Sequence, residues 1–433
     1  MRHAPALHVL TAALIVVLAG CASPSTTRAD GAPVAVAPAS QLPSRAYGIQ
    51  EFIDTVGVAG ASFSADESKL LFSSNKTGVW NTYSMPVGGG DWTPITTSTT
   101  DNHYAVAYFP DDDRVLVTRD QGGNELNHLY VIGTDGNERD LTPGAKLRAQ
   151  FAGFSRDGKS FFVSSNERDP RYFDLYRYDS KTYARTRIFE NTTGYQPGEI
   201  SADRRWLALN QINTTNDADL FVANLATGKV TKVSEHTGEA QFSAADFSPD
   251  GQWLYYIAND AGEFAELRRV NLSNWRHEPV QTSEWDITDS YFSHNGRYRV
   301  TVINADGSTK LEVVEAASGK PVALPRLPAG DVRNVRISRS ENRMAFYING
   351  DRQPSDLYVV DFGGEAKQLT RSLNPAINPA DLVDSSVVRF QSFDGMSIPN
   401  ILWKPHQATA GRKAPALVWV HGGPGGQTTR AHS

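Results

Sequence analysis

Residues 247–256 read Phe247-Ser248-Pro249-Asp250-Gly251-Gln252-Trp253-Leu254-Tyr255-Tyr256. This is a strand end, a tight Asp-Gly turn and a second strand of apolar and aromatic residues. The pattern recurs along most of the chain. Aligned on the residue before the Ser or its equivalent, the anchors are Phe63, Tyr108, Phe154, Ile200, Phe247, Phe292 and Ile337, spaced 45, 46, 46, 47, 45 and 45 residues apart. Near-equal units of this length, filled with short alternating runs, predict an all-β fold: a seven-bladed β-propeller of four-stranded blades. The turn is repeated at Asp157-Gly158 and Asn295-Gly296, whereas Asp66-Glu67, Asp203-Arg204 and Ser340-Glu341 have lost the glycine.

The rest of each unit follows the same plan. In the first, Lys69–Phe72, Trp80–Met85 and Trp92–Thr96 read as the second, third and fourth strands. Later third strands begin alike, at Phe173-Asp174-Leu175-Tyr176, Asp219-Leu220-Phe221 and Asp356-Leu357-Tyr358, and fourth strands end at Thr142, Ser234 and Thr370. Asp135-Gly136, Thr227-Gly228 and Asp306-Gly307 are expected to turn third strands into fourth ones. The first unit starts with its own inner strand and the last carries its own full set. The ring is therefore expected to close by face-to-face packing rather than by a sheet shared between the termini, although Gln50–Ile53 is a segment that reaches towards the seam.

A chain of 433 residues exceeds what one core usually holds. Lys and Arg number 42 against 48 Asp and Glu, giving a net charge of −6 with no basic cluster, which argues against nucleic acid as a partner. At the N-terminus Arg2 and His3 precede an apolar run, Leu7–Leu18, that ends Leu18-Ala19-Gly20-Cys21. It is short for a membrane span and suits an export signal. It resembles a bacterial lipoprotein signal, which implies cleavage before Cys21 and lipidation of that residue as a membrane anchor. Ala22 then implies the outer membrane, facing the periplasm. Cys21 is the sole cysteine, so no internal disulfide is possible. Residues 22–45, rich in Ala, Pro, Ser and Thr, read as a disordered tether. The expected organisation is a signal peptide over 1–20, a tether over 21–45, the propeller over 46–372 and the opening of a second domain over 373–433.

That second domain announces itself by a change of pattern. Val387–Phe393, Asp394-Gly395 and Ser397–Trp403 predict a hairpin. Pro415–Val420 is dense enough in apolar residues for a strand buried on both faces, and runs into His421-Gly422-Gly423-Pro424-Gly425-Gly426. The stretches FQSFDGMSIPNILWKP and PALVWVHGGPGG resemble the start of the α/β-hydrolase domain in the prolyl oligopeptidase family of serine peptidases. The resemblance implies hydrolysis of short peptides without a cofactor, with the propeller capping the active site. It also implies that His421, Gly422, Gly423, Pro424, Gly425 and Gly426 form a loop beside the oxyanion site, His421 orienting the loop rather than serving as the base.

No Gly-x-Ser-x-Gly occurs in the sequence, so no catalytic Ser, Asp or His is assigned. The expectation is a chain truncated early in the hydrolase domain and inactive alone, its missing portion being a partner if encoded separately. No metal site is expected either. His103, His128, His236, His277 and His294 are scattered over the blades without an HExxH, and Asp111-Asp112-Asp113 lacks the spacing of a calcium loop. Two other readings stay open. One is a periplasmic propeller similar to TolB, whose units also read FSPDG and which works by protein contacts. The other is an esterase or acyl-peptide hydrolase of the same architecture.

Overall fold

The computed structural model describes residues 46–325, 327, 330–423 and 426–432. The signal, the tether with Cys21, and Pro424 and Gly425 lie outside these residues. Seven antiparallel sheets follow one another in chain order, each a meander of sequential strands, and a two-stranded hairpin comes after them. Blade one consists of Val58–Phe63, Lys69–Ser74, Asn81–Pro86 and Thr93–Pro94, and blade seven ends with Lys367–Gln368. All seven anchors are the last residues of the innermost strands, for example Phe63, Phe154 and Ile337. The repeat read from the sequence is thus the repeat of the fold.

Apolar side chains on the two faces of each sheet meet those of the neighbouring blades. Phe109, Leu116 and Leu129 of blade two pack with Phe161, Val163 and Tyr178 of blade three. The same arrangement closes the ring: Val58, Leu70, Phe72, Tyr83 and Met85 of blade one form one cluster with Ala345, Tyr347 and Leu357 of blade seven. Each of these two blades has its four strands from its own stretch of chain, so the seam is closed by packing, as expected. Buried Tyr347 adds a hydrogen bond across it, from Oη to Gly60 O at 2.5 Å. Gln50–Ile53 does not complete a sheet. It belongs to a five-residue helix, Ile49–Ile53, docked on the segment that leaves blade seven, where Asn374 Nδ2 donates to Glu51 O.

The third-to-fourth strand pairing has a side-chain clasp that explains the recurring Asp-Leu-Tyr and terminal Thr or Ser. In blade four Ser234 Oγ donates to Asp219 Oδ1 at 2.7 Å and accepts from Leu220 N at 3.0 Å. In blade seven Thr370 Oγ1 donates to Asp356 and accepts from Leu357 N, at 2.8 and 2.9 Å. Asn81 and Thr96 repeat it in blade one. Each clasp satisfies buried groups that the short fourth strand leaves without a ladder partner.

The turns that lack glycine keep the glycine geometry. Gly158, Gly251 and Gly296 have φ of 70, 68 and 77°, while Glu67, Arg204 and Glu341 at the equivalent positions have 59, 60 and 59°. The conserved part of the turn is its serine: Ser248 Oγ donates to Asp250 and accepts from Trp253 N, as Ser64, Ser155 and Ser201 do in their turns.

Two expectations are corrected. Asp306-Gly307 joins the second and third strands of blade six, Tyr298–Ala305 and Ser308–Glu315, not the third and fourth. Both residues have positive φ, the two-residue hairpin turn. Among the described residues blade six has three strands, with a single bridge between Val314 and Pro321 in place of a fourth. Pro321, Pro325 and Pro328 crowd this stretch, and proline has no N–H to give to a ladder.

Candidate functional site

The tail seats on one face of the ring, the one carrying the turns between second and third strands. After blade seven the chain is held by Ser372 N on Asp356 and by Tyr47 Oη on Asp381, at 2.8 and 2.7 Å. The hairpin follows, Ser385–Gln391 paired with Ser397–Trp403. Asp351 on blade seven anchors both its strands: Oδ2 accepts from Ser385 N at 2.7 Å and Oδ1 from Trp403 Nε1 at 2.7 Å. Arg389 pairs with Asp306 of blade six at 2.6 Å.

Residues 415–420 do not form the expected strand. Leu417, Val418 and Val420 are 83, 82 and 85 % exposed. A strand buried on both faces needs a neighbour for its backbone and a layer on each side, and among the described residues nothing supplies either. Likewise no helical α/β-hydrolase portion is present among them; the tail amounts to the hairpin and an extended segment. His421, Gly422 and Gly423 follow as an exposed turn, with Gly423 at φ 73° and Gly426 N donating to Gly423 O at 2.8 Å. A Cβ at Gly426 would stand 3.2 Å from the carbonyl oxygens of Gly422 and Gly423, a tight fit that a small shift of the turn would have to relieve.

The chain then returns to blades six and seven. Arg430 N donates to Gly307 O, His432 N to Asn349 Oδ1 and Arg333 Nη2 to Thr429 Oγ1, at 2.8–2.9 Å. Arg430 also bonds Ser385 at the start of the hairpin. Between tail and ring lies a cavity of about 570 Å³ lined by Asp331, Asp351, Arg352, Gln353, Asp384 and Arg430. The glycine loop is therefore hung between two attachments to the same face.

The axis of the ring holds groups that the sequence reading passed over. The residue before each anchor is Ser62, Ala107, Gly153, Glu199, Asp246, Tyr291 and Arg336 in turn. By strand alternation these lie on the face of the sheet away from the anchors, and the charges of Glu199, Asp289 and Arg336, from blades four, six and seven, act on one another across the ring. Blades one to three contribute small side chains there and blades four to seven charged or aromatic ones. Ser62, Asp246 and Tyr291 each reach the inner strand of the next blade. Ser62 Oγ accepts from Tyr108 N and Asp246 Oδ2 from Phe292 N, at 3.0 and 2.8 Å, and Tyr291 Oη donates to Val335 O at 3.1 Å.

Burial, reinforced by the Glu199 carboxylate, pushes Asp246 up to about 7 despite backbone N–H bonds that favour its ionised form. Glu199 and Asp289 are raised too, chiefly by desolvation, while both residues keep contact with solvent. Glu199 and Asp246 were legible in the repeat, one residue before their anchors, whereas Asp289 lies three before Phe292.

The histidines are spread as expected. His128 bonds Asp140 and His277 bonds Tyr256 Oη, both at 2.8 Å, within their own blades. Among the described residues no group of three or more His, Cys, Asp or Glu is placed to hold a metal ion.

Residues 97–372 match the family described as the prolyl oligopeptidase N-terminal β-propeller domain. This chain belongs to that family. Dipeptidyl aminopeptidase BIII of Pseudoxanthomonas mexicana is 24% identical to it over 384 residues, covering 84% of this chain and 55% of its own length. The Tol-Pal system protein TolB of Francisella tularensis is also 24% identical, over 230 residues, which is 52% of this chain and 51% of TolB. Among solved structures, a puromycin-hydrolysing peptidase of Mycobacterium tuberculosis superposes with a TM-score of 0.69 at 16% identity, covering 87% of this chain and 62% of that one. The chain spans about half the length of the curated relatives it matches.

Proposed function

We propose that this chain is the propeller and the opening of the catalytic domain of an exported serine peptidase of the prolyl oligopeptidase type, acting on short peptides. The observation that carries the reading is the placement of the tail. A hairpin and an HGG turn follow a family propeller, and the segments on either side of the turn are fastened to one of its faces through Asp351, Asp306 and Gly307. A propeller that works only by protein contacts has no use for an apolar segment leading into a glycine loop. In this reading Gly422, Gly423 and Gly426, with Pro424 and Gly425, form the oxyanion-side loop, and residues 415–420 become a strand once the rest of the hydrolase sheet is beside them.

The nucleophile, its base and the orienting acid come from a part of the protein beyond these residues, because the sequence holds no nucleophile elbow. Chain 1–433 alone should neither release product from short chromogenic peptides nor label with a fluorophosphonate. Stoichiometric labelling of any serine in it refutes this reading. The TolB-like reading is favoured by the match over 230 residues and predicts instead a stable protein complex through the ring. Anchoring at the outer membrane through Cys21 belongs to the same proposal. Intact-mass measurement of membrane-extracted protein should find residues 1–20 absent and Cys21 acylated, and an unmodified soluble chain would exclude it.

A further inference from the structure

The turns after the innermost strands make up the face opposite the tail, and the cations there commonly meet a carboxylate of the adjacent blade. Lys69 pairs with Asp113 and Arg204 faces Asp157 in this way. Two arginines differ. Arg156 of blade three donates from Nη1 to Pro249 O of blade five at 3.4 Å, and Arg339 of blade seven donates from Nη2 to Arg156 O at 3.1 Å. Blades three, five and seven are not neighbours, so these bonds run across the inside of the ring.

The two guanidiniums share one locality. Arg339 Nη1 is 3.6 Å from where a Cβ on Gly158 would stand, so the group lies on the blade three turn that carries Arg156. His294 of blade six is beside them: burial, then Arg339, then Arg156 hold its imidazole below its ordinary value, with Glu341 opposing. Each arginine spends a single N–H on a backbone carbonyl, and among the described residues neither makes an ion pair. The nearby carboxylates are committed to backbone donors. Glu341 Oε1 accepts from Asn295 N at 2.6 Å, and the two Asp246 oxygens accept from Phe247 N and Phe292 N. Both arginines are half-buried, so their mutual repulsion is poorly screened. The planar forks of N–H groups left free match a group with two or three equivalent oxygens.

We propose that Arg156 and Arg339, with His294 beside them, form a binding site for a phosphate or carboxylate group inside the ring. The site belongs to the propeller alone and stands whether or not the chain is part of a peptidase.

His294 is a built-in reporter, since an anion held at the arginines favours its protonated form. The full chain, its histidines labelled with carbon-13, would be titrated with acid and followed by NMR at constant ionic strength, with His294→Gln assigning the signal. The additions are inorganic phosphate, acetyl-diglycine and acetyl-diglycine amide. Phosphate, or the acid but not the amide, should raise the His294 midpoint by about half a pH unit or more and leave His128 and His277 unmoved. Which of the two acts separates free phosphate from a peptide carboxylate. The rise should vanish in Arg156→Gln and in Arg339→Gln, while an unchanged His128 signal, from its bond to Asp140, shows intact blades. The comparison of acid with amide on the unaltered chain decides the matter even where a variant does not fold. No rise with either anion, an equal rise with the amide, a rise shared by the other histidines, or one that survives in both variants overturns the site.

Discussion

Replacing Asp246 by asparagine should change how stability depends on pH more than it changes stability itself. Asp246 Oδ1 accepts from Phe247 N at 2.7 Å and Oδ2 from Phe292 N at 2.8 Å, the second bond joining blade five to blade six. Its carboxyl titrates near 7 in the fold against 3.8 for an ordinary aspartate. A raised folded value means that the stability it contributes is complete below pH 4. That stability is lost as the unfolded chain ionises first, and is gone above pH 7. The gap corresponds to an upper limit of about 4 kcal/mol, and relaxation of the site reduces it to about 2–3 kcal/mol.

Asparagine keeps the shape and never ionises, but turns one acceptor into a donor facing an N–H, at a cost of about 1–2 kcal/mol. Asp246→Asn should therefore be the less stable protein at pH 4 and equal or more stable at pH 8, the two curves crossing between pH 5 and 7. Urea denaturation at half-unit pH steps measures this directly. Glu199 is coupled to Asp246, so the difference curve reports Asp246 together with the change its removal imposes on Glu199. Parallel curves, or a difference that grows in the opposite direction with pH, would refute the assignment.

Other outcomes follow from single contacts. Arg204→Gly relieves a positive φ at an exposed turn whose ion pair to Asp157 is long, 3.7 Å, and should stabilise by up to about 1 kcal/mol in thermal melts. Asp356→Ala strands the donors of Thr370, Ser372 N and Gln368 behind blade seven, and should destabilise by about 2–4 kcal/mol, measured as a lower urea midpoint. Limited proteolysis should cut first within residues 404–423 rather than 371–384. The latter stretch contains buried Ser372 and Ile377 and is tied to Tyr47, whereas the former is exposed. A first cut at 371–384 would show that the linker is not held.

The fold was readable because its repeat is carried by residues with one physical task each. The serine of most turns bonds its own strand ends, and in blades four and seven an aspartate at the start of the third strand clasps the end of the fourth. Where the glycine is missing the turn persists: Glu67, Arg204 and Glu341 adopt the glycine conformation, and Glu67 and Glu341 are held in it by bonds to neighbouring blades. Blade six departs for a local reason, its prolines. The tail could not be read correctly from its own residues, since a buried strand is defined by neighbours and Leu417–Val420 have none among the described residues. The carboxylates inside the ring were passed over because they match no catalytic motif. Only the ring brings Glu199, Asp246 and Asp289, 47 and 43 residues apart in turn, within reach of one another's charge.

The most direct measurement is made on the native protein. It would be captured from membranes through its propeller, treated with a fluorophosphonate and mapped by peptide mass spectrometry. The account predicts one labelled serine, within a Gly-x-Ser-x-Gly sequence outside residues 1–433, on a polypeptide that co-purifies with the propeller. A native protein whose mass equals residues 21–433 with its lipid, and which takes up no label on any co-purifying polypeptide, would contradict it.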